Sequence, residues 1–200
     1  NVQLNPPVTG LQQIHGQWQA QTDRAPVTGK YLIAADGAMG RCRQWLGFPP
    51  LVTSLAATVW QPGEPTHPHH AQFEVGNFDN GFLWCFPTLT GQSVSSVIMR
   101  GRTDVQALRK ALKTYVGSRS LPIRTQPIAL WSGRQPLHTQ KALLAGDCAG
   151  LADPLLIEGL RPAILSGIKA ADAIAAALDG HPHALAHYSD VIAQEWGSDM

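Results

Sequence analysis

Short alternating runs of apolar and polar residues dominate the first half of the chain, and runs at helical spacing dominate its final quarter. Segments 11–15 and 17–22 flank Gly16, and Gln17-Trp-Gln-Ala-Gln alternates as a hairpin arm does. Residues 30–35 form a compact apolar run closed by Asp36-Gly37, which predicts a buried strand and a turn. Residues 38–46 have helical composition and stop at Gly47, with Pro49-Pro50 behind them. Segments 51–60, 71–75, 81–86 and 93–99 are short, rich in β-formers and separated by Gly, Asn and Pro. They predict an antiparallel sheet. Behind Asp104, the residues Val105, Leu108, Leu112 and Val116 fall at helical spacing, so 104–116 reads as an amphipathic helix. After a proline-punctuated stretch, 142–145 is a second buried strand, ending in Gly146-Asp147. Residues 158–178 form a long Ala-rich helix closed by Gly180, and 183–196 a last one. Ala163, Ser166, Gly167, Ala170 and Ala171 let the long helix pack closely on a neighbour.

Two hundred residues suffice to bury a core, and an apolar share of 44% is ordinary for a globular chain. The formal charge of +1, with scattered Lys and Arg, argues against a nucleic-acid partner. No apolar run has the length of a membrane span, and the polar, Pro-rich start has no signal-peptide pattern. Cys42, Cys85 and Cys148 lie far apart without a CxxC, which suits buried thiols in a reducing, cytoplasmic setting. His67, His69 and His70 invite a metal reading. Pro62, Pro65 and Pro68 in the same stretch make it an irregular solvated loop instead, and no metal site is expected.

The chemistry sits in two segments of one design, Tyr31-Leu-Ile-Ala-Ala-Asp-Gly-Ala and Leu143-Leu-Ala-Gly-Asp-Cys-Ala-Gly. Each is an apolar strand that ends in a small residue plus Asp, then a turn and a helix. Ligands of open α/β sheets sit at such strand ends. Glycine there lets a ligand approach the backbone, Asp accepts hydrogen bonds from sugar-like hydroxyls, and the following helix N-terminus favours negative charge. Taken singly, either segment also fits a plain turn.

Their order and surroundings resemble a known family. Ala35-Asp-Gly-Ala-Met-Gly-Arg-Cys-Arg-Gln-Trp-Leu-Gly47 is similar to the ADGAxSxVRxxLG pattern of p-hydroxybenzoate-hydroxylase-like flavoproteins. Leu144-Ala-Gly-Asp-Cys-Ala-Gly-Leu-Ala-Asp-Pro154 resembles their LxGDAAGLxDP pattern, which Glu158-Gly-Leu-Arg-Pro continues. Gly81-Phe-Leu-Trp-Cys-Phe-Pro87 resembles the GYxWxFP strand of the geranylgeranyl reductase family. The resemblance implies an α/β (α+β) chain. Residues 1–48 and 124–200 would form part of a Rossmann-like FAD-binding domain, and 49–123 an inserted antiparallel-sheet substrate domain with one helix. It implies that Gly146 and Asp147 bind the ribityl or pyrophosphate region of FAD. Pro154, Glu158 and Gly159 would line the isoalloxazine side, and Asp36, Gly37 and Arg43 would support the dinucleotide. Trp84 and Phe86 would face the substrate. For Arg43 a surface salt bridge stays open as well, and for Trp84 and Phe86 ordinary sheet core.

The implied activity is reduction of C=C bonds in an isoprenoid substrate through FAD, with NADPH as an electron donor and peripheral membrane contact for a long apolar substrate. A flavin-dependent aromatic monooxygenase or halogenase shares both Asp motifs. A non-catalytic fragment or binding module without FAD is the reading of another class. The sequence departs from the pattern in several places. Gly40 stands for Ser, Leu156-Ile157 for Thr-Gly, and Cys148 for Ala. No GxGxxG unit follows an early strand. A fragment that binds FAD weakly or not at all by itself is the corresponding expectation.

Overall fold

A computed structural model describes residues 7–76, 80–99, 104–117 and 121–198. The chain divides into two compact units, one of residues 1–52 with 129–200 and one of Thr53–Ile128.

The first unit opens with a three-stranded antiparallel sheet in the order β1 (Val8–Ile14), β2 (Gln17–Thr22), β3 (Val27–Gly29). Ile14 pairs with Gln17 across a two-residue turn whose His15 and Gly16 both have positive φ (50° and 74°), the geometry that matches strand twist. Trp18 Nε1 donates to the Lys141 carbonyl at 3.0 Å and Lys141 Nζ to the Gly16 carbonyl at 2.7 Å, which ties the hairpin down. Next come β4 (Leu32–Ala34) and α1 (Cys42–Trp45). The helix expected over 38–46 is thus a single turn. Gly37, at φ 82°, and Gly40, whose N–H donates to the Gly37 carbonyl, form a turn before it.

The second unit is a five-stranded antiparallel sheet backed by one helix. Its strands are β5 (Thr53–Pro62), β6 (Gln72–Val75), β7 (Gly81–Thr88), β8 (Gly91–Ile98) and β9 (Arg124–Ala129), ordered β6-β7-β8-β5-β9. Strand alternation sends Leu83, Cys85, Val94, Ala57 and Val59 to one face, where Leu108 and Leu112 of α2 (Val105–Val116) bury them. Asp104 caps α2 by accepting the N–H groups of Gln106 and Ala107 at 2.8 and 3.2 Å. β9 is absent from the sequence reading, because Pro127 and its exposed first half hide the alternation. Its place beside β5 carries residues 124–128 into this unit, whereas the sequence division assigns them to the first.

The chain then returns to the first unit with β10 (His138–Thr139) and β11 (Ala142–Leu144), followed by a 3-10 turn, α3 (Leu160–Leu178) and α4 (Ala184–Ser198). The sheet order is β10-β11-β4, with β11 parallel to β4. Leu143, Leu144, Leu151, Ala170, Ala173, Tyr188 and Ile192 form the core between this sheet and the α3–α4 pair. Tyr188 donates its hydroxyl to the Leu144 carbonyl at 2.6 Å. The fold is α+β. No helix among the described residues is long and apolar enough to cross a membrane.

Candidate functional site: two strand ends at one sheet edge

Parallel pairing sets Leu32 against Ala142, Ile33 against Leu143 and Ala34 against Leu144, and Ala145 N–H donates to the Ala34 carbonyl at 3.0 Å. Both strands therefore end at one edge, and both Asp turns lie there. Gly146, at φ 58°, gives its N–H to Ser166 Oγ at 2.9 Å. A Cβ on Gly146 would stand 3.2 Å from Ala163 Cβ. α3 therefore crosses this turn at contact distance, using two of the small residues its sequence offers.

Asp147 follows, half-buried, with its Oδ1 close enough that a Cβ on Gly159 would be 3.2 Å away. Its carboxylate has no hydrogen-bond or ionic partner among the described residues, and burial raises its pKa. A raised carboxyl penalises the fold once ionised, and the penalty fades as pH falls through the folded-state value toward the ordinary one. Asp147→Asn is accordingly expected to raise the thermal midpoint at neutral pH, by no more than about 1 kcal/mol of stability. No gain should remain in melts below about pH 3, where both states are protonated.

The loop between Asp147 and α3 is organised by Asp153. Its Oδ1 accepts the N–H groups of Leu155 and Leu156 at 2.8 and 2.6 Å, and its N–H donates to the Glu158 carbonyl at 2.8 Å. Pro154 is half-buried beside it. Glu158 is exposed, and its Oε1 accepts Arg161 N–H at 2.8 Å, so the side chain closes the first turn of α3. Ile157 sits at φ 59°. The backbone thus keeps a glycine conformation with a β-branched residue in it, at a cost of about 1–2 kcal/mol. Ile157→Gly relieves that strain, partly offset by the entropy of a freer unfolded chain. A rise of roughly 1 kcal/mol in unfolding free energy, read by urea titration, is the expected result.

Asp36 and Arg43 turn toward the protein. Asp36 Oδ2 accepts Cys42 N–H at 2.9 Å, and a Cβ on Gly40 would fall 2.1 Å from its Cγ. The Gly that replaces Ser thus makes room for this carboxylate. Gly37 supplies the positive φ of the turn and leaves open space where a side chain would be. Arg43 is 5% exposed. Its Nε donates to the Pro49 carbonyl at 2.7 Å, Nη1 to the Cys148 carbonyl at 3.1 Å and Nη2 to Gln135 Oε1 at 2.9 Å. The guanidinium also lies 5.7 Å from the Phe48 ring centroid. Burial lowers its pKa, and no carboxylate is bonded to it. The surface salt bridge left open by the sequence is therefore not what forms.

In the second unit, Trp84 and Phe86 lie on the sheet face opposite α2, with Phe82 and, across the strand pair, Phe73. Ring centroids run 5.6 Å from Phe82 to Trp84, 6.4 Å from Trp84 to Phe86 and 5.7 Å from Phe86 to Phe73. Phe73 and Phe86 are exposed, Trp84 is half-buried and Phe82 is buried, so the aromatic row runs from core to surface along this face. Thr58 and Ser95 lie beside it on the same face, their hydroxyls 2.8 Å apart.

Sequence reasoning missed Gln135 and Ser189, and took Ser166 only as a small packing residue and not as the partner of Gly146 N–H. Ser189 Oγ accepts Leu137 N–H at 3.0 Å and lies 2.7 Å from His138 Nδ1. A lone Ser or Gln whose partner lies 20 to 92 residues away leaves no local pattern to read. Among the described residues, no group of three metal-ligating side chains is poised for an ion.

No family model matches the chain. It is 23% identical over 174 residues to the digeranylgeranylglycerophospholipid reductase of Thermoplasma volcanium, covering 78% of this chain and 43% of that protein. It is also 23% identical over 190 residues to the reductase of the same name from Thermoplasma acidophilum, covering 85% and 48%. The chain thus spans less than half the length of these curated relatives. Among solved structures, a geranylgeranyl bacteriochlorophyll reductase-like protein of Thermoplasma acidophilum superposes with a TM-score of 0.80 at 21% identity, over 94% of this chain and 53% of that one. A tryptophan 6-halogenase of Streptomyces toxytricini gives 0.73 at 16% identity, over 96% and 41%. The two sequence relatives support the resemblance to geranylgeranyl reductases carried by the three motifs. The structural neighbours show the fold, one shared by a reductase-like protein and a halogenase.

Proposed function

We propose that this chain carries the Gly-Asp half of a flavin site and the substrate-facing sheet of an FAD-dependent oxidoreductase of the geranylgeranyl reductase type. The observation that carries the reading is Asp147, a half-buried carboxylate without a partner among the described residues, set beside Gly159 at the start of α3. A group left in that state is available to a ligand hydroxyl, and the neighbouring helix start favours phosphate or other negative charge. FAD has both features. Bound there, it supplies the hydride chemistry, and the protein binds, orients and keeps water away.

In this proposal Asp147 accepts a hydrogen bond from the ribityl chain and Gly146 lets the cofactor approach. Pro154, Glu158 and Gly159 border the ring. Arg43 acts from beneath, through the Cys148 carbonyl, and Asp36 with Gly37 shapes the adjoining turn. The aromatic face of Trp84 and Phe86 receives an apolar isoprenoid chain, for which flat rings offer contact area at low entropic cost. NADPH is the proposed reductant, and contact with a membrane surface follows from the substrate's low solubility.

The test is product analysis on the flavin-loaded protein with a geranylgeranylated lipid. Saturation of double bonds without oxygen consumption supports the reductase reading. Incorporation of oxygen or halogen into product overturns it in favour of the monooxygenase or halogenase chemistry that the same fold also hosts.

A further inference from the structure

At the sheet edge three reactive groups converge. The Asp36 carboxylate occupies the space Gly40 leaves, where a Cβ would fall 2.1 to 2.4 Å from its Cγ and oxygens. It also binds the backbone N–H of Cys42 at 2.9 Å. The charge on that same carboxylate acts on the thiols of both Cys42 and Cys148. Cys148 is 1% exposed within the core, whereas Cys42 is only half-buried and within reach of solvent. An accessible thiol at such an edge is ordinarily open to electrophiles and peroxides.

We propose that Asp36 masks Cys42 against electrophiles and oxidants, and that Gly40 is what seats the carboxylate beside it. The thiolate is the reactive species. A negative charge and a hydrogen-bond acceptor beside each sulfur both favour the thiol. Burial, followed by the Asp36 hydrogen bond and charge, pushes each thiol up to about 12. Burial alone would raise Asp36 too, but the hydrogen bonds from Cys42 N–H and the two thiols outweigh it and hold its carboxyl below the ordinary value. The carboxylate is therefore ionised, and the mask in place, at every pH where a thiolate could form. The groups facing Cys42 are Asp36 and Cys148, and those facing Cys148 are Asp36, Cys42, Arg43 and Tyr188. Arg43 is the one cation among them and acts against the mask. Its guanidinium is bonded to the Cys148 carbonyl.

The experiment is iodoacetamide labelling of the full chain across pH, with Cys42 and Cys148 quantified separately by peptide mass spectrometry. Asp36→Asn keeps an oxygen for the Cys42 N–H and removes the charge. At about pH 9 it is expected to label Cys42 at least tenfold faster than wild type, while the buried Cys148 stays unlabelled. Gly40→Ser, which displaces the carboxylate, should shift the Cys42 pH profile in the same direction. Equal Cys42 rates in wild type and Asp36→Asn overturn the proposal. So does a parallel rise at Cys148, because it assigns the effect to loosened packing. The outcome does not depend on flavin and stands apart from the test of the flavin reading.

Discussion

Arg43→Met is expected to lower the unfolding free energy of the first unit by roughly 3 kcal/mol. The methionine fills much of the volume but strands three acceptors, the carbonyls of Pro49 and Cys148 and Gln135 Oε1. The buried Cys148 carbonyl costs about 1–3 kcal/mol when left unpaired, the half-buried Gln135 amide and the exposed Pro49 carbonyl cost less, and release of a desolvated charge offsets part of the sum. Gln135→Ala, which removes one of the three, should cost about 1 kcal/mol. Chemical denaturation followed by tryptophan emission separates the two, since Trp131 lies in the core next to this network. Equal small losses for both variants would show that the guanidinium is solvated and not the tie between the 43–49 turn and the Gly-Asp turn.

Gly146→Val is the second large effect. A β-branched side chain at φ 58° costs about 1–2 kcal/mol, and its Cβ would meet Ala163 at 3.2 Å before its methyls are added. Together with overpacking against α3, a loss of about 3 kcal/mol is expected, against about 1 for Gly146→Ala. The valine also pushes α3 away from Asp147, so flavin affinity should fall more steeply than stability. The comparison to make is the thermal midpoint beside the FAD titration for both variants. If the midpoint of the valine variant matched wild type, the close crossing of α3 over the turn would be wrong.

Much of this was legible in the sequence because the responsible signals are local. The alternation of 17–21, Asp104 near the start of a helix and the spacing of Leu108 and Leu112 each need only a few neighbouring residues to be read. The two strand-to-Asp turns were equally visible, and parallel pairing sets them side by side. What stayed hidden depends on distant partners. β9 becomes a strand through its place next to β5, and the single-turn α1 reflects a loop that Asp36 draws onto Cys42. The partners of Arg43, Gln135 and the Cys148 carbonyl, lie 92 and 105 residues away and leave no local pattern. Ile157 shows the opposite case. Its side chain stands where the family pattern has Gly, and the Asp153 hydrogen bonds organise a loop whose backbone is in the left-handed region there.

The proposed function makes the edge formed by Gly146, Asp147 and the start of α3 a flavin-contacting surface. Amide NMR of the labelled chain titrated with FAD to about 1 mM tests it even where binding is weak. The prediction is that shifts concentrate on Gly146, Asp147, Gly159 and Leu160, and that Asp147→Ala abolishes them. Shifts confined to the aromatic sheet face, or a wild-type spectrum unchanged at saturation of the accessible concentration range, would contradict it.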